Sequence, residues 1–286
     1  MSATTTRMVI DPAWQNLLRQ HGPATVDTVY RVREGVVLSG GTATEVRRVE
    51  VEDDKQTRIL YIKKYWYPTA RLRWSGSYRG TFFGISKVRR EYENLRQLRE
   101  WGLDAPVPVA YGEERHNGWL LRSCLISEGV PSPLSLDLFI RDVLPAMPTP
   151  ERRTRQRELI HNLADYTRRM HEHRFVHHDY FWRNILLSAR SLEHFYLIDS
   201  HKGRRWSSWA DLASRAKDLA TLDSPAPSFF RRSERLRFFL RYRGHARLTS
   251  ADKELLRHAL RVAAPLRAPQ LDRVRRAKPN TVSIQV

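Results

Sequence analysis

The sequence predicts an α+β fold in which a small antiparallel β-rich region precedes a larger, mainly helical region. Strand-like segments rich in Val, Ile, Tyr and Thr occur from about Thr25 to Ser127, whereas most of the chain after Glu128 has helical periodicity. We therefore expect residues 1–127 to form a β-rich lobe and residues 128–286 to form a helical lobe. A hydrophobic fraction of 41% over 286 residues is enough for a sizeable core.

The β-rich region is predicted to begin with a polar lead-in and a short helix within the first 25 residues. A meander of three strands follows, in the segments VDTVYRVREGVVLS, TEVRRVEVE and TRILYIKKY. Gly40 and Gly41 separate the first two strands, as in a hairpin turn. A helix is predicted from Ser86, its N-cap, to about Trp101, and GWLLRSCLIS is predicted to be a buried strand.

The helical region is predicted to begin with one long helix, from Arg152 to His173. Its apolar residues recur at helical spacing and share one face, namely Leu159, Leu163, Tyr166 and Met170. Two short apolar runs, NILLS and FYLID, follow as strands, and each ends in a polar residue. The rest of the chain is predicted to be helical and rich in arginine, with a loose tail from Pro279.

The strongest functional signal is the segment HHDYFWRNILL, which runs from His177 to Leu187. Asp179 and Asn184 lie five residues apart in a loop, and Asp199 ends the strand FYLID fifteen residues later. Phosphoryl transfer needs a carboxylate for the attacking hydroxyl and oxygen ligands for the Mg²⁺ on the phosphates of ATP. The pattern predicts Asp179 as the catalytic base and Asn184 and Asp199 as Mg²⁺ ligands. The alternative is a turn at Asp179 and Asn184 and a strand-end cap at Asp199.

A lysine that holds the nucleotide phosphates is expected on a strand of the β-rich lobe. The run L-Y-I-K places Lys63 in this position, with Lys64 on the opposite face of the strand. The lysine needs a carboxylate from the following helix, and the setting R-E-Y-x-x-L favours Glu91 over Glu93. The alternative is that the two lysines are a solvated pair at a strand end.

The first hairpin is a weaker candidate for a phosphate-binding element. Gly40 and Gly41 in VVLSGGTATEV do not complete a G-x-G-x-x-G motif. Backbone amides at this turn could nevertheless cover the phosphates of ATP. A plain hairpin turn explains the two glycines equally well.

Together these residues resemble the protein-kinase-like superfamily and, more narrowly, the lipopolysaccharide core kinases, which phosphorylate heptose or Kdo sugars. The narrower resemblance spans about Tyr61 to Leu222 and rests on RGTFFGISKVRREYENLRQLREWGLDAPVPVAYGE, HHDYFWRNILL, LIDSHKGRRW and RAKDLATL. It implies a bilobal, protein-kinase-like fold, with Glu128 at the start of a hinge whose backbone meets adenine. It also implies that Asp218 steadies the catalytic loop from a helix, with His177 as a second supporting residue.

Two features of the sequence disfavour a protein as the phosphoryl acceptor. Only 18 residues separate Asp199 from Asp218, which leaves no room for a long activation segment. His178 also stands where an arginine would pair with a phosphorylated activation loop. The resemblance therefore implies an ATP-dependent sugar kinase that phosphorylates a heptose or Kdo hydroxyl of the lipopolysaccharide core at the inner face of the membrane.

The charge of the chain indicates an anionic partner. Fifty Lys and Arg residues against 31 Asp and Glu residues give a formal net charge of +19. A basic, aromatic loop carries the candidate substrate-binding residues Arg71, Arg73 and Arg79, and the stretch Arg231–Arg247 could extend this surface. We expect an anionic glycolipid or phosphorylated sugar as partner, a peripheral position on a membrane, and no nucleic acid. The alternative is that these arginines are merely solvated.

Two other functions remain open from the sequence. One is a soluble small-molecule phosphotransferase of the aminoglycoside or choline kinase type, which shares the D-x-x-x-x-N loop but does not require the basic loop. The other is a non-catalytic, basic protein that binds lipid or nucleic acid on a kinase-like scaffold. The sequence has no apolar run long enough for a membrane span and no visible secretory signal, and Cys124 is its single cysteine, so we expect a cytoplasmic location.

Overall fold

The structure is a computed structural model that describes residues 3–53, 56–67, 84–130, 132–188, 191–206 and 211–277. The chain divides into two compact units. The first comprises Met1–Gln97 and Pro106–Gly129, and the second comprises Leu98–Ala105 and Val130–Val286. The first unit contains one antiparallel sheet and the second is mainly helical. The predicted α+β fold class is therefore confirmed.

The first unit contains a six-stranded sheet in the order β1-β5-β6-β4-β3-β2, in which each neighbouring pair is antiparallel. Its strands are β1 (Thr4–Ile10), β2 (Val36–Gly40), β3 (Thr44–Asp53), β4 (Gln56–Trp66), β5 (Pro108–His116) and β6 (Trp119–Glu128). Its helices are α1 (Gln15–His21), α2 (Val26–Arg31) and most of α3 (Lys87–Glu100).

Both faces of this sheet are covered, because successive residues of each strand point to opposite sides. On one face, Leu18 of α1 and Val29 of α2 pack with Ile126 of β6 in a fully buried cluster. On the other face, Val88 of α3 packs against Leu125 of β6. The predicted N-cap of α3 is confirmed, since Ser86 Oγ accepts a hydrogen bond of 3.2 Å from the backbone N–H of Arg89.

The sequence-based assignment was wrong at the start of the chain. Residues Thr4–Ile10 form strand β1, where we predicted only a polar lead-in, because they pair along their whole length with β5, about a hundred residues away. Residues Val26–Arg31 form helix α2 and not a strand. The side chain of Thr25 accepts a hydrogen bond from the Thr28 N–H in a capping box, and the apolar residues of α2 bury one helical face.

The second unit is built around α6 (Thr149–Glu172), which confirms the long helix predicted there. The other helices are α4 (Leu136–Leu138), α5 (Leu144–Ala146), α7 (Asp211–Asp223), α8 (Arg232–Arg243), α9 (Ser250–Ala263) and α10 (Arg267–Arg276), with a π-helical turn at Phe139–Val143. Small residues of α6 and α7, such as Ala164 and Ala216, pack with Phe239 of α8 and Leu255 of α9. Among the described residues, no helix combines the length and the apolar character that crossing a membrane requires.

Two small antiparallel ladders hold the loops of the second unit. Strand β9 (Ile185–Ser188) pairs with β10 (Ser191–Leu197) and with β7 (Pro133–Ser135), and β8 (Phe175–Val176) pairs with β11 (Arg204–Arg205). One loop, residues 177–184, joins β8 to β9, and we call it the catalytic loop. A second loop, residues 198–203, joins β10 to β11.

Candidate active site

The catalytic loop is fixed at its start by one buried carboxylate. Asp218 of α7 is completely buried, and its two oxygens accept hydrogen bonds from the backbone N–H groups of His177 (2.7 Å) and His178 (2.9 Å). A carboxylate that accepts hydrogen bonds from two successive amide N–H groups holds both peptide planes in one orientation. This orientation includes the left-handed backbone of His178, whose φ is 64°. Asp218 thus has the geometry that its predicted supporting role requires.

Alternate side chains of the catalytic loop anchor it to the helices. The buried Tyr180 hydroxyl lies 2.9 Å from the Thr167 hydroxyl of α6, and the Trp182 indole donates a hydrogen bond of 2.8 Å to the Leu222 carbonyl of α7. The intervening residues, Asp179, Phe181 and Arg183, are only partly buried. The loop is therefore held by every second side chain.

Ile198 connects the second loop to the catalytic loop through hydrogen bonds of both its backbone N–H and its carbonyl. Its N–H donates to the Asn184 carbonyl (3.0 Å), and its carbonyl accepts a hydrogen bond of 3.1 Å from His177 Nε2. Burial lowers the pKa of His177, so its ring is neutral at neutral pH and Nε2 carries the proton in this bond. These bonds bring the residue before Asp199 against the loop that carries Asp179 and Asn184.

The oxygens of Asn184 and Asp199 are suitable ligands for a hard divalent cation. The Asn184 amide nitrogen donates to the Asp179 carbonyl (2.9 Å), which leaves the amide oxygen as the atom that can bind a metal. Asp199 has a left-handed backbone (φ 58°), which Asp tolerates better than most residues, and its Oδ1 lies 3.1 Å from His201 Nδ1. An amide oxygen and a carboxylate are both oxygen ligands of the kind that Mg²⁺ prefers.

Lys202 is a functional candidate to which the sequence analysis assigned no role. Its Nζ lies 2.6 Å from Oδ2 of Asp179, the predicted base. The Lys202 side chain is 50% exposed, whereas the Asp179 side chain is 14% exposed. The available signal was a cation three residues after Asp199, in LIDSHK. Because Asp179 lies 23 residues earlier, only the structure connects the two.

Arg183 is a second residue that the sequence analysis did not single out. Its guanidinium lies over the Phe181 ring, with 4.5 Å between Cζ and the ring centroid, and Nη1 donates to Gln270 Oε1 at 3.3 Å. Burial and the positive charge of Arg273 lower the pKa of Arg183. For every other described arginine with a perturbed pKa the change is upward.

His178 cannot replace the arginine that a phosphorylated activation loop would need. Burial, together with the positive charge of Lys217, lowers its pKa to about 4. The ring is therefore uncharged at neutral pH and offers no cation to a phosphate group. The electrostatics thus agree with the sequence-based argument against that mode of regulation.

Lys63 and Glu91 form an ion pair in the first unit. Lys63 Nζ lies 2.7 Å from Glu91 Oε1, and the two side chains are 17% and 3% exposed. Lys64, on the opposite face of β4, is completely buried and donates to the Val32 carbonyl and to Glu45. The alternative of a solvated lysine pair is wrong. The pairing with Glu91 matches the arrangement predicted for ATP binding, and that role stays a prediction.

Gly40 and Gly41 are not required by the hairpin itself. Neither has a positive φ. A Cβ at Gly41 would meet no atom within 4 Å, and one at Gly40 would make ordinary contacts with Val37 (3.6 Å) and the Thr44 carbonyl (4.0 Å). Because the turn alone would accept larger residues, it gives no reason for the two glycines. Close approach of a ligand to the backbone would give one.

At the end of β6, the backbone N–H groups of Glu128 and Gly129 are already used within the first unit. They donate to the carbonyls of Val107 (2.8 Å) and Ile59 (2.7 Å), and the Glu128 carboxylate pairs with Arg58 at 2.8 Å. Adenine recognition at this point, which stays a prediction, would have to use other backbone atoms. The predicted substrate-binding residues Arg71, Arg73 and Arg79 lie outside the described residues.

Comparisons with known proteins identify a matching protein family and a solved structure of similar fold. The model of the lipopolysaccharide kinase (Kdo/WaaP) family matches residues 32–256. Among solved structures, the chain is similar to WaaP in complex with acyl carrier protein, with a TM-score of 0.60 and 23% sequence identity over 94% of this chain and 98% of that chain. At this identity the likeness is one of fold. A comparison with curated protein sequences found no match.

Proposed function

The chain belongs to the lipopolysaccharide kinase (Kdo/WaaP) family, and on this basis we propose that it transfers the γ-phosphoryl group of ATP to a heptose or Kdo hydroxyl of the lipopolysaccharide core. The observation that carries the proposal is the assembly of Asp179, Asn184 and Asp199 around one loop of the second unit. We assign ATP binding to the lobe of residues 1–127 and catalysis to the lobe of residues 128–286.

The proposed mechanism follows from the chemistry of each side chain. Asp179 orients the acceptor hydroxyl and takes its proton, while the hydroxyl oxygen bonds to the γ-phosphorus and ADP leaves with the bridging oxygen. Lys63, held by Glu91, binds the α- and β-phosphates. Asn184 and Asp199 would hold Mg²⁺, which supplies charge neutralisation on the β- and γ-phosphates when it is bound.

The direct test is transfer of labelled γ-phosphate from ATP to purified lipopolysaccharide core or to lipid A–Kdo by the full chain. Incorporation of label that requires Mg²⁺ and follows enzyme concentration is the expected result. Labelling of aminoglycosides or choline in place of the core would favour the soluble small-molecule kinase. No ATP-dependent transfer to any acceptor would favour a non-catalytic scaffold.

We also propose that Lys202 donates from Nζ to the γ-phosphoryl oxygens during transfer, after leaving the carboxylate of Asp179. A cation within 2.6 Å of the base is positioned to stabilise charge that develops there. Lys202→Met is expected to lower kcat by about 10²–10³-fold, the usual effect of losing one such donor, with little change in the KM for ATP. Initial rates of label transfer at saturating ATP measure this effect.

Two further variants make the Lys202 prediction specific. Lys202→Arg retains the charge and should recover part of kcat. Lys253→Met removes an exposed lysine from α9 and should leave kcat unchanged. A rate that rises in Lys202→Met would instead mean that the lysine only restrains Asp179.

The proposed acceptor is an anionic glycolipid, so we propose that the chain works as a peripheral protein at the inner face of the cytoplasmic membrane. The net charge of +19 supports attraction to anionic headgroups, which weakens as salt screens it. A protein partner is also proposed, since the WaaP of similar fold was solved in complex with acyl carrier protein. No nucleic-acid partner is proposed.

A further inference from the structure

Arg183 lies in the catalytic loop between Asp179 and Asn184. Its guanidinium group is held in place, but no carboxylate pairs with it among the described residues. The Phe181 ring and the Gln270 side chain fix the guanidinium. Neither contact supplies a negative charge. Within the part of the chain that the structure describes, no carboxylate lies within ion-pair distance of Arg183. A partly buried cation that has no directly paired carboxylate would be stabilised by an anionic ligand.

Two other partly buried arginines of the same unit are neutralised by carboxylates. Arg235 contacts both oxygens of Asp223, at 2.7 and 2.5 Å, and Arg243 lies 2.6 Å from Asp252. Arg183 differs from these two arginines, because none of the described carboxylates pairs with it.

A second arginine lies on the side to which Arg183 points. Gln270, which accepts the hydrogen bond from Arg183, and Arg273 are one turn apart on α10 and so share a helix face. The charge of Arg273 is close enough to act on Arg183. The end of α10 is held in place by Arg141, whose Nη1 donates to the carbonyls of Val274 (2.7 Å) and Ala277 (2.5 Å). Arg183 is therefore fixed against Gln270, and the exposed Arg273 lies one turn further along the same helix.

Arg183 lies in the same loop as the proposed reacting groups, four residues after Asp179 and directly before Asn184. The carboxylates of Asp179, Asp199 and Asp137 also act on its charge without forming an ion pair with it. An anion bound by Arg183 would therefore lie close to the hydroxyl that Asp179 is proposed to deprotonate. The guanidinium fork suits phosphate and carboxylate groups, which accept two parallel hydrogen bonds.

We propose that Arg183 and Arg273 bind an oxyanion of the acceptor, a phosphate monoester or a carboxylate close to the hydroxyl that receives the phosphoryl group. The identity of the acceptor rests on the proposed function, whereas binding of an anion at these two arginines does not. This site would orient the acceptor sugar by its charge and so select acceptors that carry a negative group beside the reactive hydroxyl.

The first test measures binding without catalysis. Inorganic phosphate, Kdo and the uncharged methyl ester of Kdo are titrated into the full chain by calorimetry, with Arg183→Met, Arg273→Met and Arg261→Met as variants. Arg261→Met is the matched control, because it removes an exposed arginine from α9, outside the basic stretch Arg231–Arg247. We expect phosphate or Kdo, but not the ester, to bind wild type and Arg261→Met with equal affinity, and the other two variants about 10-fold or more weakly.

The outcomes of the titration separate the sources of the anion. Phosphate binding that needs Arg183 assigns the site to a phosphate group, and Kdo binding that needs Arg183 and fails for the ester assigns it to a carboxylate. Equal affinity in all four proteins, or no binding of either anion to wild type, would overturn the proposal. If binding depends on Arg183 but wild type transfers label to no acceptor, the proposed function fails and the anion site stands.

Measurements of stability and kinetics distinguish anion binding by Arg183 from a merely structural role. Because the charge of Arg183 is unpaired, the thermal midpoint of Arg183→Met without ligand should be no lower than that of wild type. In transfer assays this variant should raise the KM for an anionic acceptor about 10-fold or more without changing the KM for ATP. A lower midpoint together with an unchanged acceptor KM would show that Arg183 only holds the loop to α10.

Discussion

Asp179→Ala is expected to lower the rate of phosphoryl transfer by about 10²–10⁴-fold, the range typical of a positioned general base. The loss should fall on kcat, because Lys63 and Glu91, which are proposed to bind ATP, belong to the other unit and keep their contact. Lys202 is already half exposed, so water can solvate its charge when the carboxylate is removed. The free energy of unfolding should therefore change by about 1 kcal/mol or less.

The experiment compares label transfer, ATP binding and chemical denaturation for wild type, Asp179→Ala and Asp179→Asn. The isosteric Asn variant keeps the shape of the loop and should lose as much activity as the Ala variant. Asp165→Ala, which removes a carboxylate paired with Arg241 on the surface, is the matched control and should retain full activity. A loss of less than tenfold in both Asp179 variants would remove Asp179 from the role of base.

Asp218→Ala is expected to destabilise the protein and to disable the catalytic loop at the same time. The substitution leaves the buried N–H of His177 and the partly buried N–H of His178 without their acceptor. Each orphaned donor costs about 1–3 kcal/mol, so the free energy of unfolding should fall by at least about 2 kcal/mol. Because His178 needs its left-handed backbone to place Asp179, transfer should fall even at temperatures where the variant is folded.

Denaturant titration and label transfer, measured on the same preparations, test both parts of this prediction. Asp218→Asn retains one acceptor oxygen and should lie between wild type and the Ala variant. Asp165→Ala, which loses only a surface pair with the exposed Arg241, should cost about 1 kcal/mol or less. Equal effects at positions 218 and 165 would show that the two hydrogen bonds accepted by Asp218 add no stability.

The parts of the molecule that were predictable from the sequence depend on local patterns. Strands β3, β4 and β6 and helices α3 and α6 have strong periodicity over nine or more residues, and the structure contains all of them. The catalytic loop was recognisable because phosphoryl transfer restricts residue types at fixed spacing. The choice of Glu91 over Glu93 was also open to sequence reasoning, and the structure places Glu93 on the surface with Arg89.

The parts that were not predictable depend on contacts between distant residues. Strand β1 has polar residues at its start and is a strand because β5 pairs with it. Helix α2 is only six residues long, and its Val, Thr and Tyr residues are types that favour strands. The contact of Lys202 with Asp179 crosses 23 residues, and that of Arg183 with Gln270 crosses 87. No local pattern encodes such contacts.

The alternation of side chains along the catalytic loop has a consequence for how acceptor choice can change. Tyr180 and Trp182 secure the loop through their contacts with α6 and α7, and Asn184 is buried with them. Phe181 and Arg183 lie between these residues and are only partly buried, and Arg183 contacts the Phe181 ring and Gln270 of α10. Substitution at the two intervening positions should thus be tolerated by the fold while it alters what the site accepts. Divergent evolution, or a mutant library aimed at new acceptors, could work through residues 181 and 183 alone.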